Sequence, residues 1–230
     1  MSSTVSLKKE AALHALELVR DGMVLGLGTG STSAFFIDGL AERIAEGRLK
    51  DICAVPTSEV TATQLRQYGV RLTTLVEHTQ LDLAVDGADE VDPQLNLIKG
   101  LGRALLREKM VEIHAGRLVI IVDESKIVHR LGRGPLPVEV TPFEAQAQVL
   151  WLESLGCRAE LWYEKNGSLV VTDNCNNLIR CWFDDGITDA YALSRTLADR
   201  PGIVEHGLFL DMADQVIVAG PGGVRTLERT

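Results

Sequence analysis

Four short segments of the chain carry residue types suited to proton transfer on a small anionic substrate. The first, Gly26-Leu27-Gly28-Thr29-Gly30-Ser31-Thr32-Ser33, is rich in glycine and hydroxyl groups. Glycines allow positive φ and close backbone approach, so successive N–H groups at a helix start can hold a phosphate. A dinucleotide fingerprint fails in either register, because Ser31 or Ser33 takes the place of the third glycine, and no Gly-Lys-Ser/Thr of a P-loop follows. A plain strand-to-helix turn capped by Ser or Thr has the same composition. The second segment, Asp86-Gly87-Ala88-Asp89-Glu90, follows the apolar Leu83-Ala84-Val85. Three carboxylates at the end of a buried strand are placed for proton handling; the bland alternative is a solvated loop with an Asx turn. An EF-hand loop is excluded by Ala88, which stands where an oxygen ligand is needed, whereas the pattern leaves magnesium open.

The third segment, Lys99-Gly100-Leu101-Gly102, leads into Arg103-Ala104-Leu105-Leu106-Arg107-Glu108-Lys109 at a helix start. Leu106, Met110 and Ile113 define an apolar face, which puts Glu108 about 200 degrees from Leu106 and off the packed stripe. By that reading Glu108 is an exposed residue paired with a neighbouring Arg or Lys. The fourth, Asp123-Glu124-Ser125-Lys126, follows the apolar Leu118 to Val122, and Lys126 can offer charge to a bound anion or simply be solvated.

These segments need elements that bring them to one end of a sheet. Ala12, Ala15, Leu16 and Val19 form the i, i+3, i+4, i+7 stripe of an amphipathic helix, and Ile37, Leu40, Ala41 and Ile44 repeat it. Met23 to Leu27, Ile52 to Val55, Leu81 to Val85 and Leu118 to Val122 have the length and composition of buried parallel strands. The alternation predicts an α/β fold, a doubly wound, mainly parallel, Rossmann-like sheet with ligands outside the carboxyl ends of its strands. From about Gly132 the texture changes, with Pro135, Pro137 and Pro142 punctuating the chain before a helical stripe of Ala145, Val149 and Leu152. Arg158 to Tyr163, Leu169 to Thr172 and Leu178 to Phe183 read as hairpin strands, with an Asn166-Gly167 turn between the first two. A helix from about Asp189 to Ala198 follows, and Gln215 to Ala219 reads as a strand returning to the first sheet. The expected division is a catalytic α/β domain, residues 1–131 plus 206–230, and a smaller α+β domain, 132–205, inserted before the last strand and suited to oligomerisation.

With 230 residues, 46% hydrophobic and 24% charged, the composition excludes disorder, collagen and coiled coil. The net charge of -9 argues against nucleic acid or an anionic membrane as partner, although one cluster of Lys and amide N–H groups can still bind a small anion. Cys53, Cys157, Cys175 and Cys181 form no C-x-x-C pair and no zinc pattern with the histidines, so they are expected as reduced thiols with no metal. Lys8, Lys9 and Glu10 stand where a signal peptide would be apolar, and the charge-free Gly22 to Ile37 is too short to span a bilayer. A cytoplasmic protein with no membrane partner is expected.

In combination these segments resemble the type A ribose-5-phosphate isomerase family. The resemblance is carried by Gly26 to Ser33, Pro56-Thr57-Ser58, Val85 to Glu90, Ile98-Lys99-Gly100, Arg107-Glu108-Lys109 and Pro135 to Val140. Val171-Thr172-Asp173-Asn174, Gly202-Ile203-Val204 and Gly207-Leu208-Phe209 continue it in family order over nearly the whole chain. It implies interconversion of D-ribose 5-phosphate and D-ribulose 5-phosphate through an enediolate, in the non-oxidative pentose phosphate pathway, with no metal or organic cofactor. Glu108 would be the general base; a free Glu carboxylate is ionised at neutral pH and accepts a proton without tuning. Lys99, with backbone N–H groups of Gly100 to Gly102, would stabilise the oxyanion. Asp86 and Asp89 would bind hydroxyls, move protons between O1 and O2 and help open the furanose ring. Sugar-phosphate contacts would fall on Thr29, Gly30, Ser31, Thr32, Asp86, Gly87, Ala88, Asp89, Lys99, Gly100, Leu101, Gly102 and Lys126, with Lys8 as a further phosphate ligand. Departures from the pattern are Leu101 and Cys175, each where glycine is usual, and Arg180, where an acidic residue is common.

Family habit and base rates imply a homodimer. Of the competing readings, a non-catalytic sugar-phosphate sensor lacks room before Met23 for a DNA-binding helix-turn-helix. An amino-sugar phosphate deaminase or CoA transferase shares the architecture, but Glu108 with Asp86 and Asp89 favours isomerisation. A nicotinamide dehydrogenase lacks its third glycine.

Overall fold

A computed structural model describes residues 4–229. In chain order the elements are α1 (Thr4–Ala15), a 3-10 turn (Leu16–Leu18), β1 (Val24–Leu27), α2 (Ser31–Ala45), β2 (Cys53–Pro56), α3 (Glu59–Gln67), β3 (Arg71–Leu72), β4 (Leu83–Asp86), β5 (Glu90–Val91), β6 (Leu97–Ile98), α4 (Leu105–Glu112) and β7 (Leu118–Asp123). There follow a second 3-10 turn (Glu124–Lys126), β8 (Leu136–Val140), α5 (Ala145–Glu153), β9 (Arg158–Leu161), β10 (Asn177–Trp182), α6 (Ala190–Ala198), β11 (Ile203–His206), β12 (Leu208–Phe209), β13 (Gln215–Gly220) and β14 (Gly223–Glu228). The chain divides into two compact units. The first comprises the chain up to Ala88, Arg107–Lys126 and the chain from Met212 on; the second comprises Asp89–Leu106 and Ile127–Asp211. The second unit thus extends beyond 132–205 at both ends and takes in the earlier segment that carries β5 and β6.

The first unit holds a seven-stranded sheet in the order β14-β13-β7-β4-β1-β2-β3. Every pairing is parallel except β13 with β14. The four apolar runs become β1, β2, β4 and β7; all six residues of β7 are buried, as a strand covered on both faces requires. The two predicted stripes pack on this sheet, with Ala12, Ala15, Leu16, Val19, Ile37 and Leu40 in one core with Leu25, Leu27, Val119 and Ile121. Because β1 has β2 on one side and β4 on the other, the strand order reverses there, and the ends of β1 and β4 make a topological switch point. Gln215 to Ala219 lies in β13, parallel to β7 as expected, but it is not the last strand. Strand β14 folds back as an antiparallel edge; Arg225, Thr226 and Glu228 are exposed, so it carries no buried apolar run to announce it.

The second unit has a four-stranded antiparallel sheet, β11-β8-β10-β9, and a three-stranded one, β12-β6-β5. Its core gathers Leu136, Val138, Val140, Val149, Leu152, Leu161, Ile179 and Leu197. Leu169 to Thr172 does not form a strand. Single bridges, Tyr163 with Leu169 and Val171 with Asn177, hold it in place, and Val171 is left 60% exposed. Conversely, β8 runs through Pro137 in the middle of the sheet. Pro137 lacks an N–H, yet its carbonyl accepts from the Gly207 N–H at 2.8 Å, so the prolines read as punctuation conceal a central strand.

Candidate functional site

In the first unit the site grows from the turn after β1. The Gly28 N–H donates to Val85 O on β4 at 3.0 Å, and a Cβ at Gly28 would lie 1.9 Å from Asp86 Cγ, so only glycine fits. Asp86 is 1% exposed, and its Oδ1 accepts from the Gly87 N–H at 2.6 Å, the Thr29 N–H at 3.1 Å and the Ser33 hydroxyl at 3.1 Å. Thr29 Oγ1 lies 2.8 Å from Thr57 Oγ1, 2.8 Å from Ser58 Oγ and 3.3 Å from Thr61 Oγ1. The Thr61 hydroxyl closes the group by donating to Gly28 O at 2.9 Å. Ser58 is the N-cap of α3 and accepts from the Thr61 N–H, so the Pro56-Thr57-Ser58 motif locks the β1–α2 turn from the neighbouring strand end.

The cap of α2 is Gly30, at φ +118 and with no side-chain cap bond, so neither Ser nor Thr fills that place. Ser31 is exposed and Thr32 half-buried in the first turn, and Lys8 Nζ reaches from α1 to donate to Ser31 Oγ at 2.9 Å. Lys126 ends the 3-10 turn after β7, where Asp123 Oδ1 accepts from the Ser125 N–H at 3.0 Å and from the Ser125 hydroxyl. Glu124 pairs with Arg225 at 2.8 Å. Both carboxylates of that segment therefore do structural work, and Lys126 is left half-buried at the end of the strand beside β4.

Glu108 overturns the stripe drawn from Leu106, Met110 and Ile113. Met110 and Ile113 are 49% and 65% exposed, whereas Glu108 is 3% exposed, and Leu105, Val111 and Glu112 share its buried side of α4. The physical reason lies at β1 and β2. Val111 packs with Val55 and Leu81, and a Cβ at Gly26 would come within 2.7 Å of Val111 Cγ1, so the helix presses its Val111 face on the strands. Glu108 stands one turn before Val111 and is carried inward with it. Arg107 Nη1, donating to Glu59 Oε1 at 2.9 Å, ties the same turn to the start of α3.

In the second unit the acidic motif and the glycine segment are joined directly. The Asp89 N–H donates to Ile98 O at 2.8 Å, and Asp89 Oδ2 accepts from the Leu101 N–H at 2.9 Å. Leu101 thus spends its N–H on Asp89, which leaves Gly100 and Gly102 to offer N–H groups from this segment. Lys99 is 2% exposed, with its N–H on Gly207 O at 2.9 Å and its Nζ 5.3 Å from the Phe209 ring centroid. Glu90, grouped with the aspartates by sequence, has a different task. Its Oε2 accepts from the N–H groups of Gly132 at 2.7 Å and Arg133 at 3.3 Å, and its Oε1 accepts from Gly134. Gly87 and Ala88, both half-buried, link Asp86 to Asp89 along the chain.

The candidate residues therefore form two groups: Lys8, Thr29 to Thr32, Asp86 and, from their own elements, Glu108 and Lys126 in the first unit, and Asp89 with Lys99 to Gly102 in the second. Sequence reasoning gave no role to Ser33, Thr57, Ser58 or Thr61, whose side chains hold Asp86 and Thr29. Hydroxyl residues of this kind carry no periodic signal; Ser33 stood out only as the end of the Gly26 to Ser33 segment, and Pro56-Thr57-Ser58 as a motif without an assigned task. Among the described residues no cluster of three or more His, Cys, Asp or Glu could hold a metal ion, and no helix is long and apolar enough to cross a membrane.

Known proteins match this arrangement closely. The family described as ribose 5-phosphate isomerase A (phosphoriboisomerase A) matches residues 53–223. A ribose-5-phosphate isomerase A from Roseiflexus sp. strain RS-1 is 50% identical over 94% of this chain and 93% of its own length. A probable chloroplastic ribose-5-phosphate isomerase 3 from Arabidopsis thaliana is 45% identical over 97% of this chain and 83% of its own. A solved D-ribose-5-phosphate isomerase in complex with phospho-erythronic acid superposes with a TM-score of 0.96 at 42% identity, covering 99% of this chain and 100% of that one. The Methanocaldococcus jannaschii ribose 5-phosphate isomerase A gives 0.93 at 41% identity, covering 98% and 100%.

Proposed function

The chain belongs to the ribose 5-phosphate isomerase A family and isomerises ribose 5-phosphate, and from that premise we propose that it works through an enediolate with Glu108 as the base. The carrying observation is the burial of Glu108: a carboxylate taken inward on the side of α4 that also buries Leu105 and Val111 is placed for chemistry rather than solubility. Glu108 removes the C2 proton of the open-chain aldose, the C2–H electrons form the C1=C2 bond, and charge moves onto O1. Lys99 and the N–H groups of Gly100 and Gly102 stabilise that oxygen. Glu108, whose proton exchanges with solvent during the lifetime of the enediolate, then protonates C1 while a hydroxyl proton passes from O2 to O1, leaving the ketone at C2. Asp86 and Asp89 bind the hydroxyls, open the ring and carry the O1/O2 proton. Gly87, Ala88 and Leu101 supply further contacts to the sugar.

The phosphate is assigned to the first turn of α2, at Gly30, Ser31 and Thr32, with Lys8 and Lys126 supplying charge. Support comes from the open glycine cap of α2 and from the Lys8 contact with Ser31. Thr29 acts from beneath, because its N–H and hydroxyl are engaged inward. We also propose a cytoplasmic homodimer whose second unit carries the subunit contact. Supporting this are the free cysteines and the exposed Phe143 and Leu150, 82% and 64% accessible, beside and on α5.

The test is Glu108→Gln. Turnover is expected to fall by about 10³-fold or more while phospho-erythronic acid still binds with wild-type affinity. A variant with near-normal turnover removes Glu108 from the base position.

A further inference from the structure

Arg103 closes the Lys99–Gly102 segment in a conformation that suits glycine. Its φ is +70, in the left-handed region where a Cβ is disfavoured, and its N–H closes a turn on Gly100 O at 2.9 Å. The side chain offsets that cost. Its guanidinium forks onto Glu164, with Nη1 on Oε1 and Nη2 on Oε2 at 3.2 Å, and lies 5.1 Å from the Trp162 ring centroid. The bond from Arg103 holds the Glu164 carboxyl below the usual carboxylate range.

The anchor is itself braced. Glu164 sits in a turn closed by its N–H on Ser168 O at 2.8 Å and by the Gly167 N–H on its own carbonyl at 2.9 Å. Trp162 is also covered by Arg180 at 5.0 Å; Arg180 bonds Glu160 and lies 5.2 Å from Trp182, over which Arg158 stacks at 3.8 Å. Arg103 is thus the end rung of a ladder of alternating Arg and Trp that runs along β9 and β10. The other end of the glycine segment is pinned through the backbone, by Lys99 on Gly207 and by Leu101 on Asp89. A glycine-rich segment held at one end only would sample many conformations, and Arg103 supplies the second hold.

We propose that Arg103 is a positioning residue for the isomerisation: its clamp on Glu164 and Trp162 sets the conformation of the Lys99–Gly102 segment, and so the placement of Lys99 and of the Gly100 and Gly102 N–H groups. The proposal rests on the assignment of Lys99 and Asp89 to the reaction. Arg103 touches no reacting atom in this account; it acts through the segment it ends.

The test compares kcat, KM and melting temperature for Arg103→Ala, Arg103→Gly, Glu164→Gln, the Arg103→Ala/Glu164→Gln double variant and Lys99→Ala. Arg103→Ala and Glu164→Gln are each expected to lower kcat about fivefold with KM within about twofold, and the double variant to fall no further than Arg103→Ala. Arg103→Gly relieves the backbone cost, so it should melt no lower than Arg103→Ala yet lose as much kcat; a merely structural role makes kcat follow stability instead. Glu164 lies on an exposed turn, so Glu164→Gln keeps the question answerable if an Arg103 variant folds poorly. Wild-type kcat in Arg103→Ala and Glu164→Gln, with Lys99→Ala impaired, overturns the inference alone. Wild-type kcat in Lys99→Ala overturns the reading on which it rests, and the inference with it.

Discussion

At the scale of residues, the buried carboxylates divide their labour by what their oxygens already accept. Glu90 spends both oxygens on three consecutive loop N–H groups, and Asp86 commits Oδ1 to two N–H groups and a hydroxyl, so the first is a clasp and the second a fixed acceptor. Cys175 shows the opposite case, a side chain where the backbone favours none. It holds φ +62 with its N–H on Thr172 O at 2.9 Å, which explains why glycine is usual at this place. Cys175→Gly is expected to stabilise the protein by about 0.5 kcal/mol, the relief of the left-handed conformation exceeding the added freedom of the unfolded chain; urea denaturation measures it. Arg180, the other departure in this region, is accounted for by its stack between Trp162 and Trp182. At this scale the place of Asp86 at the end of a buried strand was legible in the sequence, because the apolar Leu83-Ala84-Val85 leads into it. The burial of Glu108 was not, since helical periodicity assigns apolar residues to the core, whereas Met110 on α4 and Ile113 just past its end are exposed.

Elements turn these side chains into a site through close approach. The β1–α2 turn can hold Asp86 only because Gly28 has no side chain, and the hydroxyl group of Thr29, Thr57, Ser58 and Thr61 fastens that turn to the end of β2. Gly28→Ala is therefore expected to cost about 2 kcal/mol or more of stability and to lower turnover by displacing Asp86, with urea melts and steady-state kinetics as the readouts. A variant as stable and active as the parent contradicts the packing described. The four parallel strands were legible because a strand buried on both faces is a continuous apolar run. The two-residue strands β3, β5, β6 and β12 are too short to carry any period, and β8 hid behind its prolines. Leu169 to Thr172 erred the other way: its alternation resembles a strand, but only two bridges form there.

For the whole molecule, a net charge of -9 leaves a sugar phosphate to be held by local arrangement, and the proposed cations Lys8, Lys99 and Lys126 come from α1, from the segment after β6 and from the 3-10 turn after β7. The doubly wound sheet was legible from its alternation of helix and strand. The division of the chain was less so, because the return of Asp89–Leu106 to the second unit is made by pairing of β6 with β12 across a large sequence separation, which no local pattern records. The central claim is an enediolate formed by Glu108, and proton exchange addresses it directly. The EDTA-treated protein is incubated with ribose 5-phosphate in D2O and followed by NMR. The account predicts ribulose 5-phosphate carrying deuterium at C1, and neither product nor exchange with Glu108→Gln. Product and exchange in Glu108→Gln at the parent rate contradict it, since the proton would then move without that carboxylate, and saturable binding with no product would return the chain to the sensor reading.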